Sequence, residues 1–342
     1  MFIYLFLTLI VLGIPLITYL KKSFRLEVSY FFVFLVFSII FTFRGPFTQD
    51  YNSYKFFYYF IADLPISSIF NTIYPIEDGF IFFTKIINLV FPNYFFYQFI
   101  ISLVIILPIF SLSKRFSIYP WFSLLLFLVI GGYYSSFNIT RQVMAASIFF
   151  FSLIFIYKKN IFLYLSLCFL AFLFHKTSLI LFLVYPFFFL RINIFTTSAI
   201  TLFIILFFVF DNEIVYFFGK IFYNGYTYGL GPGSFNGALV PLSISLFIFL
   251  FAFFNKVKNN QFLFNGVILY FASTLFGLST QMIGRFSEFF VIFPILFLPN
   301  LIFSFKNKYF RLSLLTIIPI LLILFNYISL SNDSYNPYYF SI

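Results

Sequence analysis

The chain has 342 residues, 63% of them hydrophobic and 8% charged, with 66 Phe, 26 Tyr and a net charge of +11. Its repeated apolar runs are too many for soluble core helices, since about 20 apolar residues cross a ~30 Å hydrocarbon layer, and they lack the ~10-residue alternation of a β-barrel. The basic residues form short clusters between these runs, as topology signals do, which argues against nucleic-acid binding; a single Cys and a single His exclude an internal disulfide and a His/Cys metal centre. The fold class expected is an all-α polytopic integral membrane protein, one transmembrane helical domain over residues 1–342, with no cofactor and no metal.

Taken in order, run one (Met1–Leu20) has no basic n-region or small-residue cleavage site and is expected as a retained helix. It ends at Lys21, Lys22 and Arg25. Run two, about Val28–Phe43, ends at Arg44. Residues 44–94 read as a long outer loop broken by Pro65, Pro75 and Pro92. Within it Phe80–Phe91 is apolar but short, and reads as re-entrant or interfacial. Runs three to five follow as Tyr94–Leu112, Tyr119–Tyr134 and Val143–Tyr157, with a loop SSFNIT before Arg141. Runs six to eight are Ile161–Phe174, Ser178–Leu190 and Ile194–Phe210, and His175-Lys176 separates the first two. A second outer loop, 211–237, holds NGYTYGLGPGSFNG, too irregular for a phosphate-cradling loop. Runs nine to twelve are Ala238–Phe254, Phe262–Thr280, Phe289–Phe305 and Leu312–Leu330.

This division gives twelve spans, and charge tests it. Lys21, Lys22, Arg25, Lys114, Arg115, Lys158, Lys159, Arg191, Lys256, Lys258, Lys306, Lys308 and Arg311 collect on one side, thirteen against seven on the other. By the positive-inside rule the first side is cytoplasmic, and both termini face outward. Eight of the nine acidic residues, all but Glu27, lie outside with the long loops. The outer arginines are therefore not needed for topology.

Those polar positions form the candidate constellations. Arg44, Asp50, Tyr51 and Tyr54 lie within eleven residues. Asp50 and Tyr54 share a helical face, and Arg44 either folds back to pair locally or offers a guanidinium to a phosphate. Glu77-Asp78 stands at a helix start, as a cap or as a general base whose pKa burial raises. Arg141 either snorkels to headgroups or serves a site. Arg285 and Glu288 are spaced for a local pair. His175 ends a helix, with hydrogen-bonding or proton-transfer roles open to it. Ionisable groups at membrane edges are functional candidates by default, and three outer arginines favour a pyrophosphate ligand.

FRG followed by DYNSY, then EDGF with FFTKIINLVFPN, NITRQVMAASIFF, FLAFLFHKTSLILFLVYPF, IGRFSEFFVIFPIL and the final NPYY occur in that order. In this series the chain resembles the EpsG-like branch of Wzy-type polysaccharide polymerases. The resemblance implies an enzyme that joins oligosaccharide repeat units carried on undecaprenyl pyrophosphate, at the outer face of the bacterial plasma membrane, into O-antigen, capsule or exopolysaccharide. It implies that Arg44, Asp50, Arg141, His175 and Arg285 match the recurrent polar sites of such enzymes. Pro46 and Gln49 depart from a more Gly-rich loop there. A chain-length regulator and a flippase are the implied partners beside the bilayer.

The chemistry expected is metal-independent glycosyl transfer. Arg44, Arg141 and Arg285, with Tyr51, Tyr54 and Glu288, would bind the substrate, the arginines neutralising the leaving pyrophosphate. Asp50 or Glu77 would take the acceptor's proton, and His175 is the third residue counted as catalytic, for proton transfer or phosphate contact. Tyr223, Tyr226 and Tyr228 are placed to stack on sugars. Two rivals stay open: a flippase or exporter of lipid-linked sugars, with charges along a central path, and a polysaccharide O-acyltransferase using His175.

Overall fold

The computed structural model describes residues 6–14, 26–46, 50–68, 76–130, 132–223, 242–248, 250, 261–279 and 281–332. Of the residues named above, Lys21, Lys22, Arg25, Gln49, Tyr226, Tyr228, Lys256, Lys258 and the final NPYY lie outside these, as does most of run nine. Every regular element among the described residues is helical. Phe and Tyr are only moderate helix formers. The helices follow instead from the apolar surroundings, in which each backbone N–H and C=O must find its partner inside the protein.

The helices are residues 6–14 (α1), Leu26–Thr42 (α2), Tyr51–Asp63 (α3), Asp78–Val90 (α4), Tyr94–Phe116 (α5), Pro120–Val129 (α6), Gly132–Asn138 (α7), Thr140–Tyr157 (α8) and Ile161–Phe174 (α9). They continue as Leu181–Val184 (α10), Ile194–Val209 (α11), Asp211–Tyr223 (α12), 242–248 (α13), Gln261–Phe276 (α14), Gln281–Gly284 (α15), Ser287–Phe290 (α16), Ile292–Ser304 (α17) and Lys308–Asn332 (α18). Asparagines open three of them. The Asn93, Asn160 and Asn193 side chains accept from the backbone N–H of Phe96, Leu163 and Thr196, each satisfying an orphan donor of a first turn. The turn between α8 and α9 is closed by Lys159 at φ 55°, a left-handed position usually given to glycine.

Three helices are long and apolar enough to cross a membrane: Tyr94–Phe116, Thr140–Tyr157 and Ser287–Ser304. A fourth results if α6 and α7, bent by 47°, count as one span. The expected twelve spans do not emerge among the described residues. Several apolar runs form helices of only 10–17 residues, among them Ile161–Phe174, Ile194–Val209 and Gln261–Phe276. Run seven is not one helix: it is a 3-10 turn (Lys176–Ile180), then α10, then a second 3-10 turn at Pro186–Phe189. Pro186 lacks the N–H that would continue the ladder. Neighbours take up some of its carbonyls: Asn265 Nδ2 donates to Phe187 O and Leu190 O at 2.9 Å, and Tyr164 Oη to Leu181 O at 2.5 Å.

Two more expectations are corrected. The segment read as the loop SSFNIT is the helix α7, with only Ile139 before α8, so Arg141 stands in the first turn of a helix. Neither long outer loop is a plain loop. The first carries α3 and α4, and the second begins with α12. α4 has 13 residues, about 20 Å of rise, which is short of a crossing. Phe82, Ile86, Leu89 and Val90 on it are exposed.

α8 and the α16–α17 span form the centre, with 72% and 78% of their apolar windows buried against 56% for α5. Between such helices there is little hydrophobic driving force, so close packing and bonds to partner carbonyls hold them. Ser123 Oγ donates to Ile295 O at 2.9 Å, and Tyr133 Oη to Phe37 O at 2.7 Å. Asn300 clasps the α5–α6 turn, donating to Phe116 O and accepting from Ile118 N–H, both at 2.7 Å. α14 approaches α17 at Gly266, where an added Cβ would stand 2.0 Å from the Phe293 ring, itself fully buried. Gly266→Ala is therefore expected to destabilise the bundle by about 1–3 kcal/mol; a lowered midpoint of thermal unfolding in detergent checks it, and an unchanged midpoint would refute this packing role.

Candidate active site at the helix ends

Chain reversal gathers the site. α8 begins at Thr140 and α9 runs back beside it, so His175, just past the end of α9, returns to the level of Arg141. α4 begins there too, with Glu77 at its N-cap position, and α3 begins just after Asp50. Lys114-Arg115 and Lys158-Lys159 lie at the far ends of α5 and α8.

Glu77 is the hub. Its Oε2 accepts from Arg141 Nη1 at 2.5 Å, and its Oε1 bonds His175 Nδ1 at 2.9 Å and the Lys176 backbone N–H at 3.4 Å. Glu77 and Arg141 side chains are 9% and 22% exposed, so this pair is far better shielded than a surface salt bridge. Burial pushes the Glu77 carboxyl upward, but the His175 hydrogen bond and the Arg141 charge outweigh it and hold the pKa down at about 2. The expectation of a base raised toward neutrality is thereby reversed: Glu77 is a firmly ionised acceptor. An ionised carboxylate only accepts. His175 Nδ1 then donates to it, and the ring's other nitrogen, Nε2, is buried and has no partner among the described residues.

Around this hub lie the other expected residues. Tyr54 Oη accepts from the Arg141 backbone N–H at 3.2 Å, capping α8, and its ring meets Phe80 edge-on at 6.2 Å. Tyr51, also buried, packs edge-on against Tyr94 at 6.0 Å. Asp50 lies within reach of two cations: burial pushes its carboxyl up, and the charges of Arg285 and Arg141 partly counter this. Arg285 is exposed. Glu288 does not make the expected local pair with it; the Glu288 carboxylate accepts from Ser135 Oγ at 2.8 Å instead.

Arg44 neither folds back onto Asp50 nor faces outward. It is 2% exposed, with Nη2 donating to Thr140 Oγ1 at 3.3 Å and its guanidinium 4.1 Å from the Phe41 ring centroid. Its Nε and Nη1 have no hydrogen-bond partner among the described residues. Asp78 lies in the first turn of α4, and no three His, Cys, Asp or Glu side chains gather as a metal ligand set among the described residues. Tyr223 is the last residue of α12.

Sequence reasoning missed Lys85, buried and donating to the Ala62 and Leu64 carbonyls at 2.7 and 2.6 Å, where it fixes the end of α3. It missed Ser135 and Gln142 as well. Their polarity inside apolar helices was the available signal.

A carboxylate held below its free pKa stabilises the fold at pH values above its unfolded value and ceases to do so as it is protonated. With an ordinary value of 4.5 and a folded value of about 2, Glu77 contributes about 3 kcal/mol above roughly pH 4.5, lost as pH falls toward 2. Glu77→Gln is expected to flatten that segment of the stability–pH profile, read as thermal midpoints across it; an equally steep profile in the variant sinks the assignment. Gly79 permits the Glu77–His175 bond, because a Cβ there would stand 2.5 Å from the Leu173 carbonyl oxygen. Gly79→Ala should part α4 from α9 and remove the same pH dependence while leaving Glu77 and His175 in the chain.

The family model described as the EpsG family matches residues 27–340. No curated protein and no solved structure matches. With nearly its whole length matched, the chain belongs to the EpsG family.

Proposed function

We propose that this chain polymerises oligosaccharide repeat units carried on undecaprenyl pyrophosphate, by glycosyl transfer at the outer face of the bacterial plasma membrane. The observation that carries the reading is the Arg141–Glu77–His175 chain of contacts, which pairs a held cation with an oriented imidazole. A hydroxyl of the acceptor attacks the anomeric carbon of the donor's first sugar. Its proton passes to His175 Nε2, the new C–O bond forms, and the bond from the anomeric carbon to the pyrophosphate oxygen breaks. Glu77 fixes the imidazole tautomer and stabilises the imidazolium that results, as a carboxylate does beside a catalytic histidine elsewhere.

Arg141 and Arg285 balance the charge that grows on the departing polyprenyl pyrophosphate. Arg141 has two advantages for this. It stands at the N-terminus of an 18-residue helix, whose dipole adds positive potential, and its Nε is unpartnered among the described residues. Asp50 lies in the field of both arginines and offers a second carboxylate for the acceptor's proton. Arg44, beneath Thr140, supports the start of α8.

Sidedness supports the outer face. The basic clusters at the far ends of α5 and α8 mark the cytoplasmic side by the positive-inside rule, and α8 separates them from Arg141 by about 27 Å. Charges at helix ends rather than along a central path favour an enzyme over a flippase. The free Nε2 of His175 is also what an O-acyltransferase needs, so the test must separate the two.

That test is the surface-polysaccharide ladder of cells lacking this protein, complemented with wild type, Arg141→Ala, Arg285→Ala or His175→Ala at matched expression. The reading predicts single repeat units in the deletion strain and at most a few per cent of normal polymer in each variant, a loss of about 10²–10³ in rate for one charge-stabilising group. Full ladders that have lost acetyl groups would identify an acyltransferase. Absence of any repeat unit at the outer face would identify a flippase.

A further inference from the structure

We infer that Gln142 is a positioning residue that sets the separation of Arg141 and Arg285, and through it the grip of the two arginines on a polyprenyl pyrophosphate; the inference rests on the functional reading above. Gln142 follows Arg141 in α8, is 2% exposed, and donates from Nε2 to the Arg285 carbonyl at 2.6 Å. Consecutive helical residues diverge by about 100°. One turn of α8 therefore sends Arg141 to Glu77 and Gln142 to the turn bearing Arg285.

The Arg285 side chain makes no hydrogen bond or ion pair among the described residues. Where its guanidinium can reach is therefore set by where its backbone stands, and Gln142 Nε2 is the side-chain group that ties that backbone to α8. The turn is fixed from its other side as well. Gly277 and Gly284 meet so closely that a Cβ on Gly277 would stand 2.6 Å from Gly284 Cα, and Ser287 Oγ donates to Gly284 O at 2.7 Å. Ser135 on α7 holds Glu288, three residues on, at 2.8 Å. Ser135 and Gln142 thus clasp this segment from the two helices that meet beside Arg141. A pyrophosphate bridged by two guanidinium groups senses their spacing, and a displacement of ~1 Å in such an arrangement is worth up to about 10² in rate.

The experiment uses the purified full chain in detergent micelles with farnesyl pyrophosphate as probe and farnesol as control. Gln142→Met, similar in size but lacking the donor, is expected to weaken farnesyl pyrophosphate binding about tenfold. In an Arg285→Ala background the same change should add nothing, because a residue that acts through Arg285 has nothing left to position. Multiplied losses in the double variant, or wild-type binding by Gln142→Met, overturn the inference and leave the functional reading standing. Wild-type chain that binds farnesyl pyrophosphate no better than farnesol, or Arg285→Ala that binds as wild type does, overturns both. If Gln142→Met does not fold, Gln142→Asn serves instead: it keeps the amide but shortens its reach, and must show a smaller, equally Arg285-dependent loss.

Discussion

A single carboxylate, Glu77, ties together three elements that the sequence holds far apart. Arg141 opens α8, His175 follows α9, and Glu77 itself precedes α4; the ion pair and the imidazole bond make their ends one site. Each partner alone would be a liability in these surroundings. An unpaired buried charge costs several kcal/mol, and removing one member of such a pair costs about 3–5 kcal/mol. The arrangement is stable only as a set, which is why the carboxyl titrates so far below its ordinary range.

The backbone obeys the same constraint. In the broken segment around Pro186, side chains from neighbouring helices, Asn265 and Tyr164, take the carbonyls of Phe187, Leu190 and Leu181. Where helices must come closest, glycine stands: Gly79 against Leu173 beside the site, Gly266 against Phe293 in the centre, and Gly277 against Gly284 next to Arg285. Two of these three contacts adjoin charged residues of the site. Close packing here also sets where the charged residues stand.

The arginines divide into distinct environments. Arg285 is exposed, Arg141 is paired and partly exposed, and Arg44 is buried over Phe41 beneath Thr140. A guanidinium remains charged in all three. In the proposed mechanism the outer two serve the pyrophosphate, while Arg44, bonded to Thr140, braces the helix that carries Arg141. Gln142 and Ser135, uncharged and easily passed over, connect this helix pair to the α16 side of the site.

Composition and charge determined by themselves that the chain is helical and embedded in a membrane, because a sequence with 63% hydrophobic and 8% charged residues has no other way to satisfy its backbone in lipid. The rarity of polar residues also singled out Glu77, Arg141, His175 and Arg285, since each is costly where it stands. Span count was not legible, because an apolar run of fixed length reads alike whether it crosses, bends, as between α6 and α7, or breaks at Pro186. Pairing was not legible either. Arg44 is near Asp50 in sequence yet bonds Thr140, and Arg285 is near Glu288 yet Glu288 bonds Ser135. Only the tertiary structure decided that Glu77 would meet partners 64 and 98 residues away, and only those partners turned a carboxyl that burial would raise into one held ionised.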